Sequence, residues 1–272
     1  MATFVLVGPG RAGMSLASAL TRCGHIAVGV LARSPDRASE AARQLDARVL
    51  AWDEALPAAD LLVIAVRDDA IEDAATRLAP GGGEIRYAVH LSGLQPIAAL
   101  DALAAAGPEV GSFHPLQSLP NPVDGAAAFA GSWIAVTAED PELERFLEEL
   151  ARSFAAHPFV LADADKGLYH AAAAASSNYV VTALALAEGL FGLAGVPFAA
   201  ARPLVEAVTD NAFRLGPLDA LTGPIARGDV GTVRGQLAAV ERLAPGLAGY
   251  FRSFAKATAR LAGTGAVFEG IL

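Results

Sequence analysis

The N-terminus alternates an apolar run, a glycine turn, a helical pattern and a second apolar run within about thirty residues. Thr3-Phe4-Val5-Leu6-Val7 leads into Gly8-Pro9-Gly10-Arg11-Ala12-Gly13, then Met14-Ser15-Leu16-Ala17-Ser18-Ala19-Leu20, then Ile26 to Leu31. A bare G-x-G-x-x-G says little in a chain with 27 glycines. The strand, turn, helix, strand context gives each glycine a task. Gly8 permits the tight turn, Gly10 lets a pyrophosphate approach the backbone, and Gly13 lets helix and strand pack closely. The N–H groups and positive dipole end of the helix then face phosphate oxygens.

NAD-binding units place an Asp or Glu about twenty residues past the glycines, to hold the ribose 2′-hydroxyl. Here that position is Arg33, within Ala32-Arg33-Ser34-Pro35-Asp36-Arg37. A guanidinium grips a phosphate through paired N–H donors, and a nearby hydroxyl adds a bond. Arg33, Ser34 and Arg37 therefore point to NADP(H), with Asp36 opening the next helix.

The rest of the first half repeats short apolar runs separated by helical stretches. Strands are expected at Phe4–Val7, Ile26–Ala32, Leu61–Val66, Tyr87–Leu91, Glu109–Phe113 and Trp133–Val136. This is the pattern of a doubly wound parallel α/β sheet. Ligands sit at the carboxyl ends of such strands, so Val66, Arg67 and Asp68 are expected beside the cofactor. The alternative for Asp68 or Asp69 is a helix N-cap. From Asp165 onward helical patterns take over: about Ala164 to Leu193, Ala199–Arg214, Val230–Leu243 and Pro245–Ala262. Two domains are expected, an NADP-binding domain over 1–162 and an all-α domain over 163–272.

Polar residues cluster at four places. Lys166 and His170 are four apart, so they share a helix face, and Asn178 lies eight beyond His170. Such a face supplies donors to a carboxylate and to a carbonyl oxygen, and Lys166 or His170 can deliver a proton. Its alternative is a solvated helix start. His90-Leu91-Ser92-Gly93 and Phe113-His114-Pro115-Leu116-Gln117-Ser118 follow apolar runs, which puts Ser92, His114, Gln117 and Ser118 near a small polar substrate. The histidines alternatively cap strands. Thr222, Gly223 and Arg227 lie in a loop suited either to a carboxylate or to a tight interhelical turn, and Asp229 is placed to cap the next helix.

Composition limits the rest. A net charge of −9 argues against nucleic acid. A single cysteine, Cys23, excludes a disulfide framework, and the five histidines show no metal-binding spacing, so no metal is expected. The apolar stretch from Ala171 is interrupted by Ser176, Ser177, Asn178 and Glu188, so no membrane span is expected. The N-terminus enters a strand without a basic run, and a cytoplasmic setting without a signal peptide is expected. The apolar surplus of the helical half suggests a homodimer.

The glycine motif, His90-Leu91-Ser92-Gly93, Phe113 to Ser118, Lys166 with His170 and Ser177-Asn178-Tyr179, and Leu221 to Asp229 together resemble one clan. It contains β-hydroxyacid dehydrogenases, pyrroline-5-carboxylate reductases and ketopantoate reductases, which pair a Rossmann domain with a helical domain of the 6-phosphogluconate dehydrogenase type. Within it the chain is similar to Rossmann-like oxidoreductases whose C-terminal half is a domain of unknown function. The clan's catalytic pair is a helix Lys four residues before an Asn; here His170 replaces that Asn. The resemblance implies an NADPH-dependent reductase of a small carboxylate-bearing keto or imino substrate, with ketopantoate preferred. Two other readings stand beside it. One is a non-catalytic NADP-sensing protein, marked by cofactor binding without turnover. The other is a prephenate- or arogenate-type dehydrogenase, suggested by His114-Pro115.

Overall fold

The computed structural model describes residues 1–82 and 84–272. They form two compact units, Met1–Ala174 and Ala175–Leu272.

The first unit is built on one eight-stranded sheet in the order β3-β2-β1-β4-β5-β6-β7-β8. Its strands are β1 (Thr3–Val7), β2 (Ile26–Leu31), β3 (Arg48–Val49), β4 (Ala59–Ile64), β5 (Ile85–His90), β6 (Glu109–Leu116), β7 (Trp133–Ala138) and β8 (His157–Val160). Between them run α1 (Arg11–Arg22), α2 (Pro35–Leu45), α3 (Ile71–Leu78), α4 (Asp101–Ala104), α5 (Pro122–Ala127) and α6 (Pro141–Ser153), followed by α7 (Lys166–Ser176). Alternation along the strands feeds two cores. Phe4 and Leu6 pack with the α1, α2 and α6 side, whereas Val5 and Val7 join Ile71, Ala75 and Leu78 of α3. The chain order reverses direction between β1 and β4, leaving a crevice at their carboxyl ends.

The sheet is parallel except at one place: β6 and β7 are antiparallel. The expected doubly wound parallel sheet thus carries one antiparallel step. The register explains what the reversal does. β6 pairs with β5 only through Glu109–Ser112, ending at His90↔Ser112. Its last four residues overhang that end and pair with β7 instead, from Phe113↔Val136 to Leu116↔Trp133. His114 thus sits inside a strand, where the sequence suggested a loop.

α7 begins in the first unit, and the division between the two compact units falls within this helix. The expected continuous helix from Ala164 to Leu193 is broken at Ser177 (φ −123°, ψ −73°), where α8 (Asn178–Leu193) starts afresh. The spacing argument that brought Asn178 back to the Lys166 face required an unbroken helix, and this break removes it.

The second unit holds α8, α9 (Arg202–Leu215), α10 (Pro217–Ala220), α11 (Val230–Leu243) and α12 (Pro245–Leu261). Its core of Val233, Leu237, Ala259 and Phe268 is small. No residue of α8 is buried, although its sequence is mostly apolar. Asp229 caps α11 as expected, accepting from Thr232 N at 3.0 Å. No helix among the described residues is long and apolar enough to cross a membrane.

Candidate functional site

The glycine turn joins β1 to α1 under tight steric constraint. Gly8 has φ +89°, and a Cβ there would lie 2.8 Å from the carbonyl oxygen of Ala65. At Gly13 a Cβ would meet the Gly8 oxygen at 2.5 Å and the Ala65 Cβ at 2.8 Å. A Cβ on Gly10 would meet nothing within 4 Å, leaving open space beside the backbone. Gly10 caps α1 without a side-chain bond, so the first-turn N–H groups of Arg11, Ala12 and Gly13 point to that space without a capping side chain. Gly13→Ala should lower the unfolding free energy by about 2 kcal/mol through overpacking. Urea denaturation checks this, and a variant as stable as the parent would contradict the packing described.

A cleft of about 320 Å³ lies beside Pro9, Met14, Asp36, Arg37 and Glu40. Arg33 and Arg37 are exposed at the end of β2 and the start of α2. Neither is in an ion pair among the described residues. Ser34 is the N-cap of α2, its Oγ accepting from Arg37 N at 3.4 Å, so its hydroxyl already has a structural task.

At the carboxyl ends of β4, β5 and β6 the polar residues converge. Ser92 Oγ donates to Asp68 Oδ2 at 2.7 Å and accepts from Leu94 N and Gln95 N. Asp68 is thus held by Ser92, and it does not cap α3. Arg67 is exposed and paired with Asp69 at 3.0 Å. His90 is fully buried. Its Nδ1 accepts from Ser92 N at 3.2 Å, which leaves Nε2 to donate to the Pro96 carbonyl at 3.3 Å. Burial, then the nearby Lys166 charge, push the His90 pKa down to about 4.

The Lys166 side chain is 2% exposed, which excludes a solvated helix start. Its Nζ pairs with Asp163 Oδ1 at 2.8 Å and donates to Gln95 O at 2.9 Å. Asp163 also accepts from Ile97 N. Burial lowers the Lys166 pKa, and Asp163 opposes that shift. The lysine therefore braces the 92–97 loop from below.

His114 bonds to the hydroxyl of Tyr169 through Nδ1 at 2.7 Å. Its ring lies against Gly93, where a Cβ would come within 2.8 Å of Nε2. Burial first, then the neighbouring His170, push the His114 pKa down to about 4. Burial alone raises the Tyr169 hydroxyl to about 12. The His170 ring is 6.3 Å from that of His114. Tyr169, Asp163 and His90 complete this cluster. Tyr169 and Asp163 had no motif to announce them, but both lie three residues from Lys166, one helical turn either way.

Gln117 and Ser118 follow the end of β6. Gln117 is exposed beyond the β6 overhang, bonded to Ala128 O and to Ser118 N. Ser118 is exposed beside it. Ser177, Asn178, Thr222, Gly223 and Arg227 belong to the second unit. Gly223 there has φ +106°, as a tight turn requires.

Residues 3–115 match a Rossmann-like domain, and residues 132–258 match a domain of unknown function, DUF2520. No curated protein matches the chain. Among solved structures, one from Bacteroides fragilis, provisionally described as an NADP oxidoreductase, is 24% identical. It covers 95% of this chain and 98% of its own, with a TM-score of 0.81. A 1-pyrroline-5-carboxylate reductase from Streptococcus pyogenes is 20% identical over 96% and 98% of the two chains, with a TM-score of 0.61. An imine reductase from Myxococcus stipitatus, in complex with NADP+, is 16% identical over 97% and 96%, with a TM-score of 0.69. At these identities the likeness is one of fold. The first half of the chain thus matches a Rossmann-like domain and the second half a DUF2520 domain.

Proposed function

We propose that this protein is an NADP(H)-dependent reductase of a small carbonyl or imine compound. One observation carries the reading. An uncapped helix N-terminus over open space at Gly10 shares the carboxyl edge of one sheet with the Ser92–Asp68 and His114 cluster. The first suits a pyrophosphate and the second a reacting polar group. Bound there, the nicotinamide would supply hydride. Gly8 to Gly13 (with Pro9, Arg11 and Ala12) would cradle the pyrophosphate. Arg33 and Arg37 would hold the 2′-phosphate. Ser92, His114 and His170 would face the acceptor, on a loop fixed by Lys166. The solved structures of similar fold described as NADP oxidoreductase, imine reductase and pyrroline-5-carboxylate reductase support the same class.

Ketopantoate is the finer proposal for the acceptor, resting on the family resemblance. A cytoplasmic homodimer is proposed as well, supported by apolar residues left exposed in the second unit, such as Val181 at 65% and Phe213 at 94%.

Fluorescence titration tests the cofactor. NADPH should bind at least about tenfold tighter than NADH, as expected when charge-assisted bonds to a phosphate are gained. Arg33→Ala should erase most of that preference. Equal affinities in the parent protein would contradict the assignment.

A further inference from the structure

We infer that Tyr169 and His114 form a hydrogen-bonded relay that gives the proton to the reduced carbonyl oxygen; this rests on the reductase reading above. In it His114 takes the role expected of Lys166.

Geometry sets it apart from Lys166, Ser92 and His90. Two of the three Lys166 ammonium donors are committed, to Asp163 and to Gln95 O, beneath the loop. The Ser92 hydroxyl proton is committed to Asp68 at 2.7 Å. His90 spends both ring nitrogens on the backbone. His114 alone has one nitrogen bonded to a side-chain hydroxyl and its other nitrogen beside Gly93, at the mouth of the Ser92 turn.

Chemistry fixes the direction of that bond. A phenol O–H is a better donor than an imidazole N–H, and an imidazole lone pair a better acceptor than a phenol oxygen. Tyr169 therefore donates to Nδ1, and Nε2 carries the imidazole proton. Burial supports the same state, since it keeps His114 neutral and Tyr169 protonated at neutral pH. The groups facing the pair are His170 on α7, Asp68 after β4 and Lys166 at the start of α7.

The step balances. The carbonyl carbon gains hydride from the reduced nicotinamide co-reactant, which becomes oxidised. The C=O π pair moves to oxygen, and that oxygen takes the Nε2 proton of His114. Nδ1 takes the Tyr169 hydroxyl proton in the same motion, so the imidazole exchanges tautomers and never becomes an anion. After product leaves, water protonates Nε2 and Nδ1 returns its proton to the tyrosinate, which restores the starting tautomer.

Two readouts test the relay. The first needs no ligand: in ¹⁵N-histidine NMR of the whole chain, His114 should show a protonated Nε2 and a hydrogen-bonded, unprotonated Nδ1. Tyr169→Phe should shift the Nδ1 resonance towards that of a free acceptor. A protonated Nδ1 in the parent protein would overturn the relay's direction. The second is kinetic, with NADPH and ketopantoate, 1-pyrroline-5-carboxylate and cyclic imines as probes. Tyr169→Phe should lower kcat for the keto acid by about 100-fold, the usual worth of a placed general acid. NADPH affinity and KM should stay near those of the parent. His114→Asn should show the same pattern. Tyr169→Phe with kcat within about threefold of the parent, against that expectation, would overturn the relay alone. A parent protein that binds NADPH but turns over no probe would overturn the reductase reading, and the relay with it.

Discussion

Asp163→Asn should destabilise the first unit by about 3 kcal/mol, the cost of leaving a buried charge without its counter-ion. The substitution keeps an acceptor for Ile97 N–H while removing the negative charge beside Lys166. Lys166 lies almost wholly out of water, so its ammonium then relies on Gln95 O. Burial already lowers its pKa, and losing Asp163 removes the main opposing influence. The sign of the pH dependence follows. The folded lysine holds its proton less tightly than the unfolded one, so the unfolded chain binds more protons and the variant gains stability as pH rises. Adding Lys166→Met should restore at least half of the loss, because methionine fills a similar volume without a buried charge to desolvate. Urea unfolding of the parent, single and double variants at pH 7 and pH 9 measures this. A double variant no more stable than Asp163→Asn would show that the charge is not what matters.

Acid should weaken the same unit through His90, by about 2 kcal/mol between pH 7 and pH 5. The unfolded imidazole titrates near its ordinary 6.5, the folded one at about 4. Between those values the unfolded state binds the extra proton. The stability that neutral His90 contributes is therefore complete above about pH 6.5 and is lost progressively as pH falls towards 4. Burial, then the nearby Lys166 charge, penalises the protonated ring, and a lost contact adds to this. Nδ1 accepts from Ser92 N, and a protonated ring has no lone pair to do so. His114 acts in the same sense, since its pKa is lowered as well. His90→Asn can keep an acceptor towards Ser92 N without a titrating ring. Its unfolding free energy should fall less steeply between pH 7 and pH 5; an identical slope would place the acid sensitivity elsewhere.

The parts of this fold that periodicity describes were legible in the sequence. β1, β2 and the helix between them follow from the glycine turn, and α11 falls on Val230–Leu243 as expected. What escaped has local causes. β3 is two residues long. β8, His157-Pro158-Phe159-Val160, carries a proline at the sheet edge and breaks the strand pattern. The antiparallel step at β7 leaves no mark in composition, because strand direction is decided by pairing. The end of α7 at Ser176 overrides an alanine-rich pattern that favours continuation. The candidate site was legible in part: Ser92, His114 and Lys166 stood out as polar residues in apolar surroundings. Their partners did not, since Asp68 read equally as a helix cap and Tyr169 as part of an apolar helix. Contacts between distant parts of the chain, which the sequence does not carry, separate those readings.

The β6 overhang has a consequence for the order of events. His114 is held by a ladder of backbone bonds to β7, and Ala135 and Phe159 continue its row across the sheet. Phe159 in turn stacks edge-on to Tyr169 at 5.9 Å. The ring is thus placed when the chain folds, and an arriving ligand need not freeze it. Conformational freedom that a loop would surrender at every binding event is surrendered here once, during synthesis of the fold.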